Sequence, residues 1–314
     1  MTYTWLVTGT TSGIGEALVR DILSRGDKVI ASGRKVEERL GPRIPESENL
    51  EYLELDVTAP QAQIDTQVKK AWDLFGSIDV LVNNAGRAGV KSAEEAEWLT
   101  SSSDDYINDM FQVNLFGQMR VTRAILPMLR AQGHGCVAFT SSSSAWAPLP
   151  FMSHYASSKA ALSAYVEALH KENMPLGIRC VAIESGGIPT SLGQPREEGK
   201  EPFSIPTIDA HLPLFGELMN LFGKTPMDVM PGDVTKVAKG IVDIVKREGV
   251  AKGLPWPTRV PLGSDGWGYA AQRCEEHLQV LNDWKDASFG TDRDGPAAVT
   301  TKLMHKFTTA LNVE

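Results

Sequence analysis

Apolar and β-branched residues gather in short runs at Trp5 to Thr8, Lys28 to Ala31, Leu50 to Leu55, Val80 to Val82, Cys136 to Phe139 and Ile178 to Ile183. Each run has strand length. Because they are apolar throughout rather than alternating, they predict strands covered on both faces. Between them one helix face recurs: Ile14, Leu18 and Ile22, then Phe111, Leu115, Met119 and Thr122, then Ala161, Tyr165, Ala168 and Leu169. Strands that alternate with helices join through right-handed crossovers, so the pattern predicts an α/β fold, a doubly wound parallel sheet in a single domain.

Beyond Gly187 the pattern loosens. Pro189, Gly193, Pro195, Gly199, Pro202 and Pro206 interrupt any long period until a helical segment around Asp233 to Lys246. A long irregular stretch of this kind, 187–232, predicts a loop that covers a binding site. After Gly253 come Pro255-Trp256-Pro257 and Val260-Pro261-Leu262-Gly263, then a helical run near Ala270 to Trp284. We read 1–263 as the main domain and 264–314 as a C-terminal helical extension.

The 314 residues, 42% hydrophobic, suffice for a full core of one such domain. A net charge of −8 and the lack of any Lys/Arg run give a nucleic acid no electrostatic foothold. Cys136, Cys180 and Cys274 lie far apart without CxxC spacing, which argues against a disulfide framework or a zinc knuckle, and no metal site is expected. No stretch reaches the ~18 apolar residues of a membrane span, and no signal-peptide pattern follows Met1, so the cytoplasm is the expected compartment.

Chemistry first shows at Thr8-Gly9-Thr10-Thr11-Ser12-Gly13-Ile14-Gly15, which follows the first predicted strand and opens the first helix. A strand ending in such a turn brings backbone N–H groups close to a pyrophosphate, and the helix adds its positive end. A carboxylate at the end of the second strand would accept the ribose hydroxyls of NAD(H); here Gly33 occupies that place and Arg34 follows, its planar fork suited to a 2′-phosphate. The dinucleotide expected is therefore NADP(H) rather than NAD(H). Asp56-Val57 is placed to meet the adenine, and Asn83-Asn84-Ala85-Gly86 to pack beside its ribose; simple turn chemistry would also explain both.

Of six tyrosines only Tyr155 has a lysine four positions on, Lys159, so both share one helix face. Ser142, within Thr140-Ser141-Ser142-Ser143-Ser144, ends the preceding strand; the choice among these hydroxyls rests on spacing and allows a shift of one. Reducing a ketone needs a proton donor at the oxygen, and an ammonium about 4 Å away at an effective dielectric near 20 is worth on the order of 4 kcal/mol, enough to make a phenol usable near neutrality. Ser142 would hold the substrate oxygen where charge develops. Asn114, polar in an apolar helical run, needs a partner: a water chain to Lys159 is one reading, a satisfied structural Asn the other.

With these residues in order, the sequence resembles the short-chain dehydrogenase/reductase family, strongly to about residue 190 and more loosely to 263. The resemblance implies a Rossmann fold, pro-S hydride transfer, an oxidoreductase acting on CH–OH donors, a catalytic tetrad of Asn114, Ser142, Tyr155 and Lys159, and pairing into a homodimer or homotetramer. Leu149-Pro150-Phe151 and the late Pro261-Leu262-Gly263-Ser264-Asp265 resemble the retinol-dehydrogenase-like and 17β-hydroxysteroid-dehydrogenase-like branch. Where the family usually has Pro-Gly after the sixth strand, this chain has Ser185-Gly186, then Gly187-Ile188-Pro189-Thr190. A fixed φ is lost there. Gly186, Ile188 and Thr190 remain the residues expected around the nicotinamide, with Thr190 on its carboxamide. Trp146, Leu149, Phe151 and Met152, with Leu192, Phe203, Leu212, Leu214 and Phe215 from the lid, would line an apolar pocket for a lipophilic ketone or secondary alcohol. The alternative reading is a cofactor-binding protein without redox turnover, a sensor or cyclase-type catalyst on the same fold.

Overall fold

All five residues of β1 (Thr4–Thr8) are buried. Trp5 and Val7 point into one core and Leu6 into another, the division that a strand covered on both faces requires. In this computed structural model, which describes residues 2–95, 106–190, 192, 204–224, 230–293, 304, 307 and 308, β1 lies inside a seven-stranded sheet. The others are β2 (Lys28–Gly33), β3 (Leu50–Glu54), β4 (Val80–Asn83), β5 (Gly135–Ser142), β6 (Ile178–Ser185) and β7 (Arg259–Leu262). Every pairing is parallel and the order is β3-β2-β1-β4-β5-β6-β7, a Rossmann-type sheet whose order reverses between β1 and β4.

On one face lie α1 (Gly13–Ser24), through Leu18, Val19 and Ile22, and α8 (Val234–Lys246), through Ala238, Ile241 and Val242. The other face carries α3 (Gln61–Phe75), α5 (Gln118–Gln132) and α6 (Ser153–Asn173), through Ile64 and Val68, Val121 and Ile125, and Leu162 and Val166. Burying each such Leu, Ile or Val side chain is worth about 1.5–3 kcal/mol, which is why these helices form where the apolar spacing put them. Asp233 starts α8 by accepting the N–H groups of Thr235 and Lys236 at 2.8 and 3.0 Å. The short α2 (Val36–Leu40) and α4 (Tyr106–Phe111) complete this part of the molecule.

The structure corrects three expectations. β7 is a seventh strand that the hydrophobic runs did not reveal; Pro261 disguises it, and proline is tolerated there because β7 is an edge. Within the supposed covering loop lies α7 (Leu212–Lys224), where Leu212, Phe215 and Phe222 sit at helical spacing around Pro213, harmless in a first turn, and Gly216. α9 (Ser264–Asp283) begins earlier than Ala270, its start hidden by Gly266 and Gly268, and α10 (Lys285–Phe289) follows it. Phe203, expected in the lid, lies outside the described residues. Among the described residues no helix is long and apolar enough to cross a membrane, and no cluster of metal-ligating side chains occurs.

Candidate active site

The C-terminal ends of β1, β2, β3, β4 and β5 open into one cleft of about 490 Å³. Gly9, Thr11, Ser12, Gly13 and Ile14 form its floor, and Tyr155, Lys159, Thr190 and Leu192 stand among its walls. Glycine is required here by contact as well as by φ. Gly9 has φ +68°, and a Cβ on it would lie 2.7 Å from Ala85 Cα; on Gly15 a Cβ would lie 2.3 Å from the Gly9 carbonyl oxygen. Gly13, φ +57°, leaves the turn open. Gly15 thus does not touch the cleft; it lets α1 pack on the turn. Ser12 forms no side-chain cap on α1, so the first N–H groups of a twelve-residue helix face this floor. That is a seat for a pyrophosphate, and the cradle fits a dinucleotide.

Thr8 is a staple rather than a wall: its hydroxyl accepts the N–H groups of Asn84 and Ala85 at 2.9 and 3.1 Å, tying β1 to the end of β4. Asn84 returns the bond, donating Nδ2 to the carbonyls of Thr8 and Gly9. Asn83, expected beside the adenine ribose, is instead fully buried and donates to Thr122 Oγ1 at 2.9 Å. Alternation along β4 decides this, since neighbouring side chains leave on opposite sides. Ala85, Gly86, Asp56, Val57 and Arg34 line the cleft. Arg39 joins Arg34 there, and Arg87 stands further along. The sequence reading missed both; Arg39's position on α2, one turn after Lys35, was the available signal.

Three groups meet at the far end. Tyr155 and Lys159 share the buried face of α6, the Lys159 Nζ 6.0 Å from the centre of the Tyr155 ring. Lys159 donates to the Thr140 carbonyl at 2.8 Å, and burial pulls its pKa down to about 8. Burial pushes the Tyr155 phenol up, and a hydrogen bond with Ser142 works against that rise. The lowering of the phenol that the sequence led us to expect is therefore outweighed by desolvation in the protein alone. Ser142, whose hydroxyl also accepts the Ser144 N–H at 3.1 Å, is bonded to Tyr155 but does not itself line the cleft. Thr140 directs its hydroxyl to the carbonyls of Asn83 and Asn84, and Ser141 bonds the Lys159 carbonyl and Ser163 Oγ.

Asn114 lies in a π-helical turn, Gln112–Gly117, between α4 and α5, and is fully buried. Its Oδ1 accepts the Arg87 N–H at 2.8 Å, while Nδ2 donates to the Arg87 carbonyl at 2.9 Å and to Ser158 Oγ at 3.1 Å. These direct partners answer its need for hydrogen bonds. They also fix Gly86, where a Cβ would sit 3.5 Å from Asn114 Oδ1 and 3.7 Å from Lys159 Nζ. The π turn aims Asn114 at this loop.

Behind the centre, fully buried Glu184 accepts from Trp146 Nε1 at 2.6 Å, Ser163 Oγ at 2.7 Å and Arg259 Nε at 2.8 Å. The Arg259 guanidinium also stacks 4.2 Å from the Trp146 ring centre. Trp146, expected in the substrate pocket, is thus held by Glu184 and Arg259 and does not line the cleft. Removing the carboxylate by Glu184→Ala would take the acceptor from buried Ser163 and from half-buried Trp146 and Arg259, and we expect on the order of 3 kcal/mol lost in urea unfolding.

The other described pocket candidates also fall outside the cleft, Leu192 excepted. Met152 packs with Tyr106, Ile107 and Met110 around the Tyr155 ring. Phe151, at φ +63°, meets Phe215 edge-on at 5.3 Å and His211 at 5.9 Å. Its carbonyl accepts the Lys91 N–H at 2.8 Å, so it pins α7 to the loop after β4. Leu149 is half-buried at the start of that turn, and Leu212 and Leu214 are 40% and 49% exposed. Ile188 packs on the α1 and α8 core. Gly186 donates to the Leu262 carbonyl at 2.8 Å.

A family model described as short chain dehydrogenase matches residues 4–201. The chain belongs to the short-chain dehydrogenase family. Oxidoreductase BOA17 of Botryotinia fuckeliana is 28% identical to this short-chain dehydrogenase over 298 residues, covering 93% of this chain and all of that protein. A crystal structure of a short-chain dehydrogenase from Streptomyces avermitilis, 31% identical, superposes with a TM-score of 0.77 over 93% of this chain and 100% of its own. ElxO, solved with NADP bound, is 25% identical with a TM-score of 0.65, over 86% of this chain and 100% of its own. The protein is thus an oxidoreductase of this family, and its cleft suits a nicotinamide cofactor.

Proposed function

We propose that this dehydrogenase uses NADP(H) to interconvert a lipophilic ketone and its secondary alcohol, with Tyr155 as acid and base. One observation carries the reading: Tyr155, bonded to Ser142 and sharing its helix face with buried Lys159, closes one end of a cleft whose other end presents Arg34 and Arg39. Held over Gly9 to Ile14, NADPH would be the source of the hydride that the carbonyl carbon takes up. Tyr155 gives its phenolic proton to the carbonyl oxygen, and the phenolate left behind regains a proton from solvent, so alcohol and oxidised cofactor leave. The Ser142 hydroxyl holds the oxygen against the phenol. Lys159, with a pKa of about 8, is mostly charged at neutral pH and holds the forming phenolate. Gly86 and Asn114 keep the loop opposite Lys159 in register.

Support for the 2′-phosphate comes from the two guanidiniums beside Gly33, where a side-chain carboxylate would repel it. Arg34→Ala combined with Arg39→Ala should lower the ratio of kcat/KM for NADPH over NADH by at least about 10²-fold, each of the two charged contacts being worth roughly 1.5–3 kcal/mol. An unchanged ratio would remove the NADP preference. For the substrate, turnover on hydrophobic ketones should exceed turnover on small sugars; the reverse order would remove the lipophilic reading. Support for it is the apolar character of the Tyr155 end, where Ala88 and Leu192 line the cleft and Met152 packs beside the Tyr155 ring. We also infer a homodimer or homotetramer, in keeping with Phe116, 41% exposed beside Asn114.

A further inference from the structure

We propose that Asp265 is the positioning residue for the nicotinamide half of the dinucleotide, acting through the Gly186-Gly187 turn that leads from β6 to Thr190. The inference rests on the nucleotide reading above. Thr190 stands in the wall of the cleft, yet the chain that delivers it leaves β6 through Ser185, Gly186 and Gly187, with no residue of restricted φ before Pro189. Unsupported glycines would leave this segment many conformations. The structure supplies the restraint from outside.

Asp265, in the first turn of α9, accepts the Gly187 N–H on Oδ2 at 2.7 Å. Its carboxylate lies so close over Gly186 that a Cβ there would stand 2.0 Å from Oδ1. From below, the Gly186 N–H reaches the Leu262 carbonyl at 2.8 Å, and Gly266 packs on the Gly186 nitrogen, where its own Cβ would be at 3.1 Å. On the other side the Gly187 carbonyl accepts the Gly232 N–H at 2.9 Å, and a Cβ on Gly187 would stand 2.8 Å from Met230. The turn is clamped between the start of α9 and the segment before α8. Among the described residues, Asp265 is the one side chain in this clamp that hydrogen-bonds the turn, and glycine at 186 is what admits it. Only one carboxylate oxygen is used so: Oδ1 is buried without a partner, as is the Ser185 hydroxyl. Desolvated oxygens of this kind persist where the rest of the contact holds them. The helix after residue 263, which looks from sequence like an appendage, therefore begins by setting the floor under Thr190.

The test is a binding titration on the full chain with two probes. NADPH carries the nicotinamide; adenosine 2′,5′-bisphosphate carries only the end that meets Arg34. Asp265→Ala should weaken NADPH binding about tenfold, read by cofactor fluorescence, and leave the bisphosphate within twofold. Asp265→Asn, whose amide oxygen still accepts the Gly187 N–H, should restore NADPH to within about threefold of wild type; should the alanine variant not fold, Asn against Ser, which is too short to reach, gives the same contrast. NADPH affinity unchanged in Asp265→Ala overturns the inference, and so does equal weakening of both probes, which would mark a purely structural role. Wild type that binds neither NADPH nor NADH would refute the nucleotide reading itself, and the inference with it.

Discussion

Tyr155→Phe is expected to lower carbonyl reduction by about 10³-fold, within the range of roughly 10²–10⁴ that a positioned acid contributes, while NADPH binding stays within twofold. The phenyl ring keeps its packing against Tyr106, Ile107 and Met110, so the loss is one of chemistry and not of fold. Single-turnover oxidation of NADPH with a hydrophobic ketone, followed in parallel with a cofactor titration, separates the two. Equal turnover in the variant and wild type would favour a cofactor-binding protein without redox chemistry at this centre.

Lys159→Met should show the opposite sign in stability and activity. The amine is buried, and burial holds its pKa at about 8 against an ordinary 10.5. From pH 8 to 10.5 the unfolded chain retains a proton that the folded chain has released, so stability from this residue rises with pH across that window and its full cost is felt at pH 7. The cost is about 3 kcal/mol. Methionine removes it but leaves the Thr140 carbonyl without its donor, a loss of about 1–3 kcal/mol. At pH 7 the variant should be more stable by on the order of 1 kcal/mol, and above pH 10.5 less stable than wild type. Its reductase rate should fall by at least about 10²-fold. Urea unfolding at the two pH values checks the first part; a variant less stable at pH 7 would mean that the amine is not desolvated as the structure places it.

The sheet was legible because burial on both faces leaves continuous apolar runs, and six strands announced themselves so. β7 did not: a four-residue edge containing Pro261 looks like a loop until Ala182 to Ser185 is beside it. The helices that hide glycine or proline in their first turns, α7 and α9, were lost or shortened for a related reason, since those residues mask the helical period at the start. At the site, local spacing found Tyr155, Lys159 and Ser142, whose geometry depends on one helix and one strand end. It could not find Glu184, whose partners Trp146, Ser163 and Arg259 are remote in sequence. Nor could it tell Asn83 from Asn84, because which of two adjacent side chains faces the cleft is fixed by the register of β4 against β5. The same limit misplaced Trp146, Phe151 and Phe215: apolar residues near a reacting centre in sequence brace its frame as readily as they line it.

The most direct test of the account is a structure of the protein soaked with NADPH. The account predicts the pyrophosphate over Gly9 to Ile14, the 2′-phosphate between Arg34 and Arg39, and the nicotinamide between Thr190 and Tyr155 with its reactive carbon facing the phenol. A dinucleotide bound outside this cleft, or lying in it with the nicotinamide turned away from Tyr155, would contradict it.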